Sequence, residues 1–411
     1  MNRWWIFGAT LLVAAAGTAN SQSLAIHDGD RVAFYGDSIT AQRLYTRFVE
    51  EIVLTRYPQM HVSFVNAGVP GDTAHGGYTG DIPTRLKRDL LPSNPTVVTI
   101  MLGMNDGYYM PFNQEYLDMY KRDYRALVTT IQSDLPDARI VLMSPTPYDE
   151  RTHGTGFPHY NDVVARHAAY DKELAASMRL GYCDLFDSMS ALIETAQKRD
   201  PSLASLLVPD RIHPSEAAHW AMAIALARAW GVSPIVSSTR IDARGAKALA
   251  SDNTSIEGLT ATSNGLQWAQ TDRALPLPLP LDNPMMQFVL KVSDLASMDQ
   301  QILRVEGLTA PRYALSIDKW EVGTFTREEL AKGVNLAVLA TPMQSQAGGV
   351  EDIGRKRAQL DDAHFVLYLD DAKAPAAADA GKVLRQKDEA LAEQQRAAAQ
   401  PKAHQFALAA K

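Results

Sequence analysis

The sequence predicts an α/β fold, a three-layer sandwich with a central parallel sheet, followed by a C-terminal module of mixed, β-rich structure. Up to about residue 232, short and nearly continuous apolar runs alternate with amphipathic helical stretches. Strands of a parallel sheet are covered by helices on both faces, so they lack the polar alternation of half-exposed strands. After Gly231 the helical periodicity fades and β-like runs begin.

The elements of the first part follow from these two patterns. The apolar runs bounded by turn residues predict five strands: Arg31–Tyr35, Val62–Val65, Thr96–Leu102, Arg139–Met143 and Tyr182–Phe186. Apolar residues at helical spacing predict four helices: Gln42–Arg56, Gln114–Gln132, Asn161–Met178 and Glu216–Ala229. Together they predict one α/β domain over residues 25–232.

The second part, residues 235–370, predicts a β-rich accessory module whose role the sequence does not indicate. Its predicted strands are Met286–Val292, Gln301–Val305, Arg312–Ile317 and Glu321–Thr326, the last two forming a hairpin that turns near Asp318–Trp320. The proline-rich run 274–282 predicts an edge segment or connector. Thr326 and Glu329 form a capping-box pattern, and a further helix is predicted over Gln344–His364.

The two ends of the chain differ from the body of the protein. Residues 1–21 combine Arg3, a short apolar stretch and small residues, which predicts a signal peptide and therefore a periplasmic or secreted protein. The stretch is short for a bilayer span, which needs about 20 residues; an uncleaved N-terminal anchor is the alternative. The tail, 372–411, is rich in Ala, Lys and Gln and predicts a loose helix or disorder.

Composition limits the classes of partner. The net charge of −7 is spread along the chain, which argues against a nucleic-acid partner because phosphate binding requires a clustered basic face. Cys183 is the single cysteine, so an intramolecular disulfide is impossible. Its apolar surroundings predict a small core residue and not a reactive thiol. Oligomeric state cannot be predicted from these features.

Four short motifs lie where strands of the predicted sheet end. In chain order they are Gly36-Asp37-Ser38, the run NAGVPGDT at 66–73, the run GMND at 103–106 and the run DRIHPS at 210–215. The carboxyl ends of parallel strands share one edge of the sheet, where open α/β sheets place their ligands. Residues as distant in sequence as Ser38 and His213 are therefore expected to converge.

The residue types in these motifs suit acyl transfer. Ser38 is a candidate nucleophile, which needs an adjacent base to remove its proton. His213 is the candidate base, and Asp210 would fix its tautomer. The backbone N–H groups of Ser38 and Gly71 and the side-chain amide of Asn105 are candidate donors to the oxyanion.

The four motifs resemble those of the SGNH, or GDSL-type, serine hydrolase superfamily, over roughly residues 28–231. The resemblance matches Ser38, Gly71 and Asn105 to the Ser, Gly and Asn of that family, and Asp210 with His213 to its Asp-x-x-His block. It implies a flavodoxin-like sandwich and an esterase that needs no metal or organic cofactor. Family activities include carboxylesterases, lysophospholipases, thioesterases and carbohydrate acetylesterases. The second half resembles, more weakly, the accessory region of exported bacterial members.

Alternatives exist for individual residues. Ser38 could only cap the following helix. Gly68 is the alternative to Gly71 as the oxyanion donor of its loop. His75 is the main rival base, because Asp72 precedes it by three residues. Three further histidines, His153, His159 and His167, are too unevenly spaced for a common zinc pattern.

The sequence therefore predicts an exported serine esterase acting through an acyl-enzyme on a small-molecule or glycan ester. A short acyl group on a carbohydrate is the preferred substrate, because polar and aromatic residues are mixed in the loops 107–116 and 146–161. A lysophospholipase, a thioesterase or an O-acetyltransferase would use the same triad. A non-catalytic glycan-binding protein is the alternative from a different class.

Overall fold

One parallel sheet organises the N-terminal half of the computed structural model. The structure describes residues 24–154, 156–369 and 375–411, so the predicted signal peptide lies outside the described residues. The elements of this half are β1 (Arg31–Gly36), α1 (Ser38–Ala41), α2 (Leu44–Arg56), β2 (Ser63–Gly68), β3 (Gly76–Gly77), β4 (Gly80–Asp81), α3 (Ile82–Arg85), β5 (Val97–Met101), α4 (Gln114–Asp134), β6 (Arg139–Met143), α5 (Tyr160–Met178), β7 (Gly181–Cys183), α6 (Leu185–Arg199), α7 (Pro201–Ala204) and α8 (Glu216–Ala229). A π-helical turn at Leu86–Leu90 and a 3-10 turn at Leu91–Ser93 precede β5.

The sheet has the strand order β2-β1-β5-β6-β7, and all neighbouring strands are parallel. Counting only these five strands, the order is 2-1-3-4-5, which is the flavodoxin-like arrangement. The chain reverses its direction of winding between β1 and β5, which makes the carboxyl ends of these two strands the expected ligand site. The predicted α/β class with a central parallel sheet is confirmed.

Helices cover both faces of this sheet, as the side chains of β1 demonstrate. Val32 and Phe34 belong to one hydrophobic cluster with side chains of α2, α6 and α8. Ala33 and Tyr35 point to the opposite face and join a second cluster with α4 and α5. All four side chains are fully buried, which explains why the strand sequence lacks polar alternation.

The C-terminal half contains two sheets packed face to face and two long helices. Its elements are β8 (Ile235–Asp242), β9 (Lys247–Asp252), β10 (Thr254–Thr262), β11 (Gly265–Asp272), α9 (Pro284–Val292), β12 (Gln300–Glu306), β13 (Arg312–Ile317), β14 (Trp320–Thr326), α10 (Arg327–Lys332), β15 (Val334–Asn335), α11 (Pro342–Leu369), α12 (Pro375–Ala398) and β16 (Ala403–Ala410). The sheets have the orders β15-β12-β8-β9 and β10-β11-β16-β13-β14. Side chains from both sheets share one core, which makes this region a β-sandwich.

Three predictions made from local patterns are wrong. Met286–Val292 is the helix α9, because the Asn283 side chain accepts hydrogen bonds from the N–H groups of Met285 and Met286 and Pro284 occupies the first turn. The run Tyr182–Phe186 forms a strand only as far as Cys183, since Asp184 caps α6.

The third wrong prediction concerns only the end of the tail, since the helix predicted there is present as α12 (Pro375–Ala398). Residues 403–410 are neither helical nor disordered but form β16, which pairs antiparallel with both β11 and β13. Phe406 and Leu408 alternate with exposed residues and lie in the sandwich core. The residues with which this strand pairs are more than 85 positions away in the sequence, so no local pattern predicts it.

The C-terminal half also packs tightly against the parallel-sheet half. Residues 274–279 of the connector are buried, with Leu277 and Leu279 in the core of the N-terminal half and Leu275 in that of the sandwich. The α11–α12 hairpin lies along α2, where Arg357 pairs with both Glu50 of α2 and Asp388 of α12. No helix among the described residues combines the length and apolar character needed to cross a bilayer.

Candidate active site

Ser38 is the first residue of α1, directly after β1. An ideal Cβ on Gly36 would lie 2.2 Å from Thr40 Oγ1 and 2.7 Å from the Met101 carbonyl oxygen, so glycine is needed for this tight turn from strand to helix. The residue that caps the helix is Asp37, whose side chain accepts a hydrogen bond of 2.9 Å from the Ile39 N–H. The hypothesis that Ser38 is the N-cap is therefore wrong, and its hydroxyl is available for another partner.

The structure brings Ser38, His213 and Asp210 together in one chain of hydrogen bonds. Ser38 Oγ is 2.8 Å from His213 Nε2, and His213 Nδ1 is 2.6 Å from Asp210 Oδ2. The second oxygen of Asp210 accepts the backbone N–H groups of His213 at 2.7 Å and of Ile212 at 3.0 Å. Although partial burial opposes it, these hydrogen bonds hold the pKa of Asp210 below its ordinary value.

Three other histidines, among them the rival base His75, have other hydrogen-bond partners. His75 Nδ1 is 2.8 Å from Thr73 Oγ1, while the carboxylate of Asp72 accepts a hydrogen bond from Arg85 Nε. His167 is buried against the Gly103 carbonyl oxygen, and burial lowers its pKa to about 4. Burial likewise lowers the pKa of His219 to about 3. In the described residues, none of these three forms a hydrogen bond with Ser38.

The three candidate oxyanion donors follow the carboxyl ends of β1, β2 and β5. Gly71 has a φ of +73°. Its N–H and that of Ser38 have no acceptor in the described part of the chain. Asn105 Nδ2 donates to the Asp72 carbonyl oxygen at 2.9 Å, which uses one of its two N–H groups and ties the loop after β5 to the loop after β2.

Two buried carboxylates support the Gly71 loop from below. Asp72 and Arg85 form an ion pair of 2.8 Å in which both side chains are fully buried. Asp106 Oδ1 accepts the Ala74 N–H at 2.8 Å, as expected for a residue that supports the loop. Because it is fully buried, the pKa of the Asp106 carboxyl rises to about 7, and burial raises that of Asp37 to about 7 as well.

An aromatic cluster borders the site on one side. Tyr109 donates its hydroxyl proton to Asn105 Oδ1 at 2.8 Å. Its ring contacts those of Phe157 and Tyr160, at centroid distances of 5.2 and 4.9 Å. Phe157 remains 47% exposed, so one aromatic face is open to solvent beside the triad loop. The sequence predicted aromatic residues in the loops here, but no pattern in it indicates the hydrogen bond from Tyr109 to Asn105.

The candidate triad is partly exposed to solvent. The His213 side chain is 30% exposed and that of Asp210 is 55% exposed. Cys183 is buried in the core and burial raises the pKa of its thiol, which confirms the prediction of an unreactive cysteine. No three His, Cys, Asp or Glu side chains are grouped as a metal site within the described ranges.

Known proteins resemble the N-terminal half of this chain in sequence. Residues 34–221 match the GDSL-like lipase/acylhydrolase family. An acetylxylan esterase of Geobacillus stearothermophilus is 28% identical over 229 residues, which cover 51% of this chain and 97% of the relative. The crystal structure of an acetylxylan esterase from the same organism is 26% identical, with a TM-score of 0.42 over 51% of this chain and 97% of that chain.

A second solved structure resembles nearly the whole protein. It belongs to a gut microbial diltiazem-metabolizing enzyme, which is 25% identical and superimposes with a TM-score of 0.83. The match covers 95% of this chain and 100% of that chain, and it therefore includes the β-sandwich and the helical hairpin.

Proposed function

We propose that this chain, a carboxylic ester hydrolase whose residues 34–221 match the GDSL-like lipase/acylhydrolase family, removes short acyl groups, acetyl above all, from carbohydrates through a Ser38 acyl-enzyme. The observation that carries the proposal is the chain of hydrogen bonds from Ser38 through His213 to Asp210. No step of this chemistry calls for a metal or an organic cofactor.

In the proposed mechanism, Ser38 Oγ attacks the ester carbonyl carbon while His213 Nε2 takes its proton. Asp210 keeps the other ring proton on Nδ1 and stabilises the imidazolium that forms. The N–H groups of Ser38 and Gly71 and the free N–H of Asn105 donate to the oxyanion. His213 then protonates the leaving alcohol, and a water molecule that it activates hydrolyses the acyl-enzyme.

Two features support a bulky or polymeric alcohol as the leaving group. The partly exposed triad admits an ester presented on a large molecule. The exposed ring of Phe157 offers a flat apolar face beside the site, of the kind that packs against the apolar face of a sugar ring or an aromatic alcohol. The likeness to an acetylxylan esterase supports acetylated xylan, and the likeness to a diltiazem-metabolizing enzyme supports testing diltiazem, whose structure includes an acetate ester.

A fluorophosphonate probe tests the nucleophile. We expect the wild-type chain to be labelled and Ser38→Ala to remain unlabelled, with Ser188→Ala, an exposed helix serine, labelled like the wild type. His213→Ala should lose esterase activity, while His75→Ala should retain it. An unlabelled wild type would contradict the serine mechanism, and activity lost only in His75→Ala would overturn the choice of base.

A substrate panel tests the acyl and alcohol parts separately. We expect p-nitrophenyl acetate to be cleaved with a higher kcat/KM than the octanoate, and acetylated xylo-oligosaccharides and diltiazem to be deacetylated. Preference for octanoate would favour the lysophospholipase or thioesterase alternative. Transfer of the acetyl group to a sugar hydroxyl in preference to water would favour the O-acetyltransferase alternative.

We further propose that the protein is exported after cleavage within residues 19–21, on the strength of the signal-peptide pattern alone. Expression of the full chain in a Gram-negative host, followed by fractionation and N-terminal sequencing, tests this. A mature form beginning between residues 20 and 22 outside the cytoplasm is the expected result. An intact Met1 in the cytoplasm would contradict it.

A further inference from the structure

The side-chain amide of Asn105 is held at both of its ends. Its Nδ2 donates to the Asp72 carbonyl oxygen at 2.9 Å, and its Oδ1 accepts the Tyr109 hydroxyl at 2.8 Å. A carbonyl oxygen can only accept, so the two contacts agree on which end of the amide is nitrogen. One N–H of the amide is left without a partner among the described residues.

We propose that Tyr109 is a positioning residue of the oxyanion hole, which fixes the plane of the Asn105 amide so that its free N–H is aimed at the substrate oxyanion. The inference rests on the proposed function, because it assigns Tyr109 to the same site. It goes beyond the set predicted from the sequence, in which Asn105 acts without a partner.

Two effects follow from the Tyr109 hydrogen bond. The torsion that rotates an Asn amide has a broad energy minimum, so a second anchor removes rotation that one contact leaves free. A hydrogen bond accepted by the amide oxygen also polarises the amide and strengthens its N–H as a donor. Both effects are in place before the reaction begins, as effective oxyanion stabilisation requires.

Tyr109 is itself held in place by its surroundings. The backbone φ angles of Tyr108 and Tyr109 are +52° and +57°, in the left-handed region. This conformation costs free energy for residues other than glycine, so it persists only because the surrounding structure holds it. The ring of Tyr109 stacks on Tyr160, whose hydroxyl donates to the Met104 carbonyl oxygen at 2.7 Å. Burial raises the pKa of the Tyr109 hydroxyl, so it remains a proton donor over the working pH range.

Tyr109→Phe tests the proposal by removing only the hydroxyl. Loss of a whole oxyanion donor costs about 100- to 1000-fold in kcat, so we expect a smaller loss of about 10-fold in kcat, with KM changed less than about 2-fold. Tyr124→Phe is the matched control, since its buried hydroxyl donates to the Ile100 carbonyl oxygen at 3.2 Å within the core between the sheet and α4. It should lose a hydrogen bond and some thermal stability but keep the wild-type kcat.

A double-variant cycle separates positioning from a merely structural role. If Tyr109 acts through Asn105, then Tyr109→Phe should lower kcat no further in an Asn105→Ala background. Wild-type kcat in Tyr109→Phe, or two losses that multiply in the double variant, would overturn the inference and leave the proposed function intact. Absence of Ser38-dependent turnover in the wild type would instead overturn the proposed function and this inference with it.

Discussion

Gly71 combines a left-handed backbone, φ +73°, with open space where a side chain would be, since an ideal Cβ meets nothing within 4 Å. Gly71→Ala would therefore strain the backbone without a steric clash, at a cost of about 1–2 kcal/mol. We expect kcat to fall by about 100-fold, the loss typical of one oxyanion donor, because the loop relieves the strain by moving its N–H.

Gly29 is the matched control for this substitution. It has a φ of +83° and equally open surroundings, but it lies in the turn before β1, at the opposite edge of the sheet. Gly29→Ala should cost a similar amount of stability in thermal unfolding and leave kcat unchanged. An equal loss of kcat in both variants would show that the Gly71 effect reflects general destabilisation.

Asp106 predicts a pH dependence of stability. Burial raises the pKa of its carboxyl to about 7 in the folded state, whereas the pKa of an Asp in the unfolded chain is about 3.9. The folded state therefore binds more protons between these values, and stability falls as pH rises through this window. Asp106→Asn keeps an oxygen for the Ala74 N–H and removes the titration. We expect its melting temperature, relative to that of the wild type, to be higher at pH 8 than at pH 5, and a pH-independent difference would contradict the assignment.

The sequence predicted which residues converge at the candidate site better than it predicted the contacts that support them. Ser38, Gly71, Asn105 and the Asp210–His213 pair could be predicted to converge because each follows or precedes an element of a parallel sheet, whose strand ends share an edge. The link from Tyr109 to Asn105 could not, because it depends on two left-handed residues that carry no glycine or asparagine signal.

At the scale of elements, one face of α2 binds the C-terminal hairpin. Arg43, which directly precedes α2, faces Asp361 of α11. Within α2, Arg47 faces Glu351, Glu50 faces Arg357 and Glu51 faces Gly354. Since α1, which carries Ser38, directly precedes α2, the hairpin packs against the helix that follows the proposed nucleophile. The residues involved recur at helical spacing, but their partners lie about 300 positions away and could not be identified from the sequence.

Two glycines of α11 test this interface. An ideal Cβ on Gly354 would lie 2.4 Å from Glu51 Oε1 and 2.7 Å from Gln395 Nε2, and both of those side chains are fully buried. Gly354→Ala should therefore destabilise the protein by about 1–3 kcal/mol through overpacking. Gly348, on the same helix, has nothing within 4 Å, so Gly348→Ala should stabilise it by about 0.5–1 kcal/mol. Urea unfolding measures both, and equal shifts would contradict the close contact.

The two wrongly predicted elements α9 and β16 have different physical causes. In α9, an Asn-Pro pair begins a helix whose apolar residues also fit a strand, so the capping residues outweighed the β-like composition. In β16, the decisive interactions come from β11 and β13, which are distant in sequence, and tertiary pairing overrides local propensity. By contrast, the capping box at Thr326 and Glu329 is a local signal, and it is present as predicted.

At the scale of the whole molecule, the two halves share hydrophobic cores. Met286, Phe288 and Val289 of α9 belong to the cluster that covers the parallel sheet, and Leu54 of α2 belongs to the core of the sandwich. Removal of residues 235–411 would therefore expose apolar surface on the parallel-sheet half. We expect the truncated chain, unlike the full chain, to aggregate or to melt at a lower temperature, and unchanged stability and kinetics would contradict this.

The shared cores also predict that the protein unfolds in a single transition. Leu408, in the central strand β16, is buried in the sandwich core and belongs to neither hydrophobic cluster of the parallel sheet, so Leu408→Ala should cost about 2–5 kcal/mol while kcat at 25 °C stays unchanged. Ala407→Ser, at the neighbouring exposed position, should change stability by less than about 0.5 kcal/mol.

Because each half contributes side chains to the core of the other, the calorimetric melting temperature and the temperature at which esterase activity is lost should fall together in Leu408→Ala. A calorimetric trace that splits into two peaks, with activity lost only in the upper one, would mean that the sandwich unfolds independently of the site.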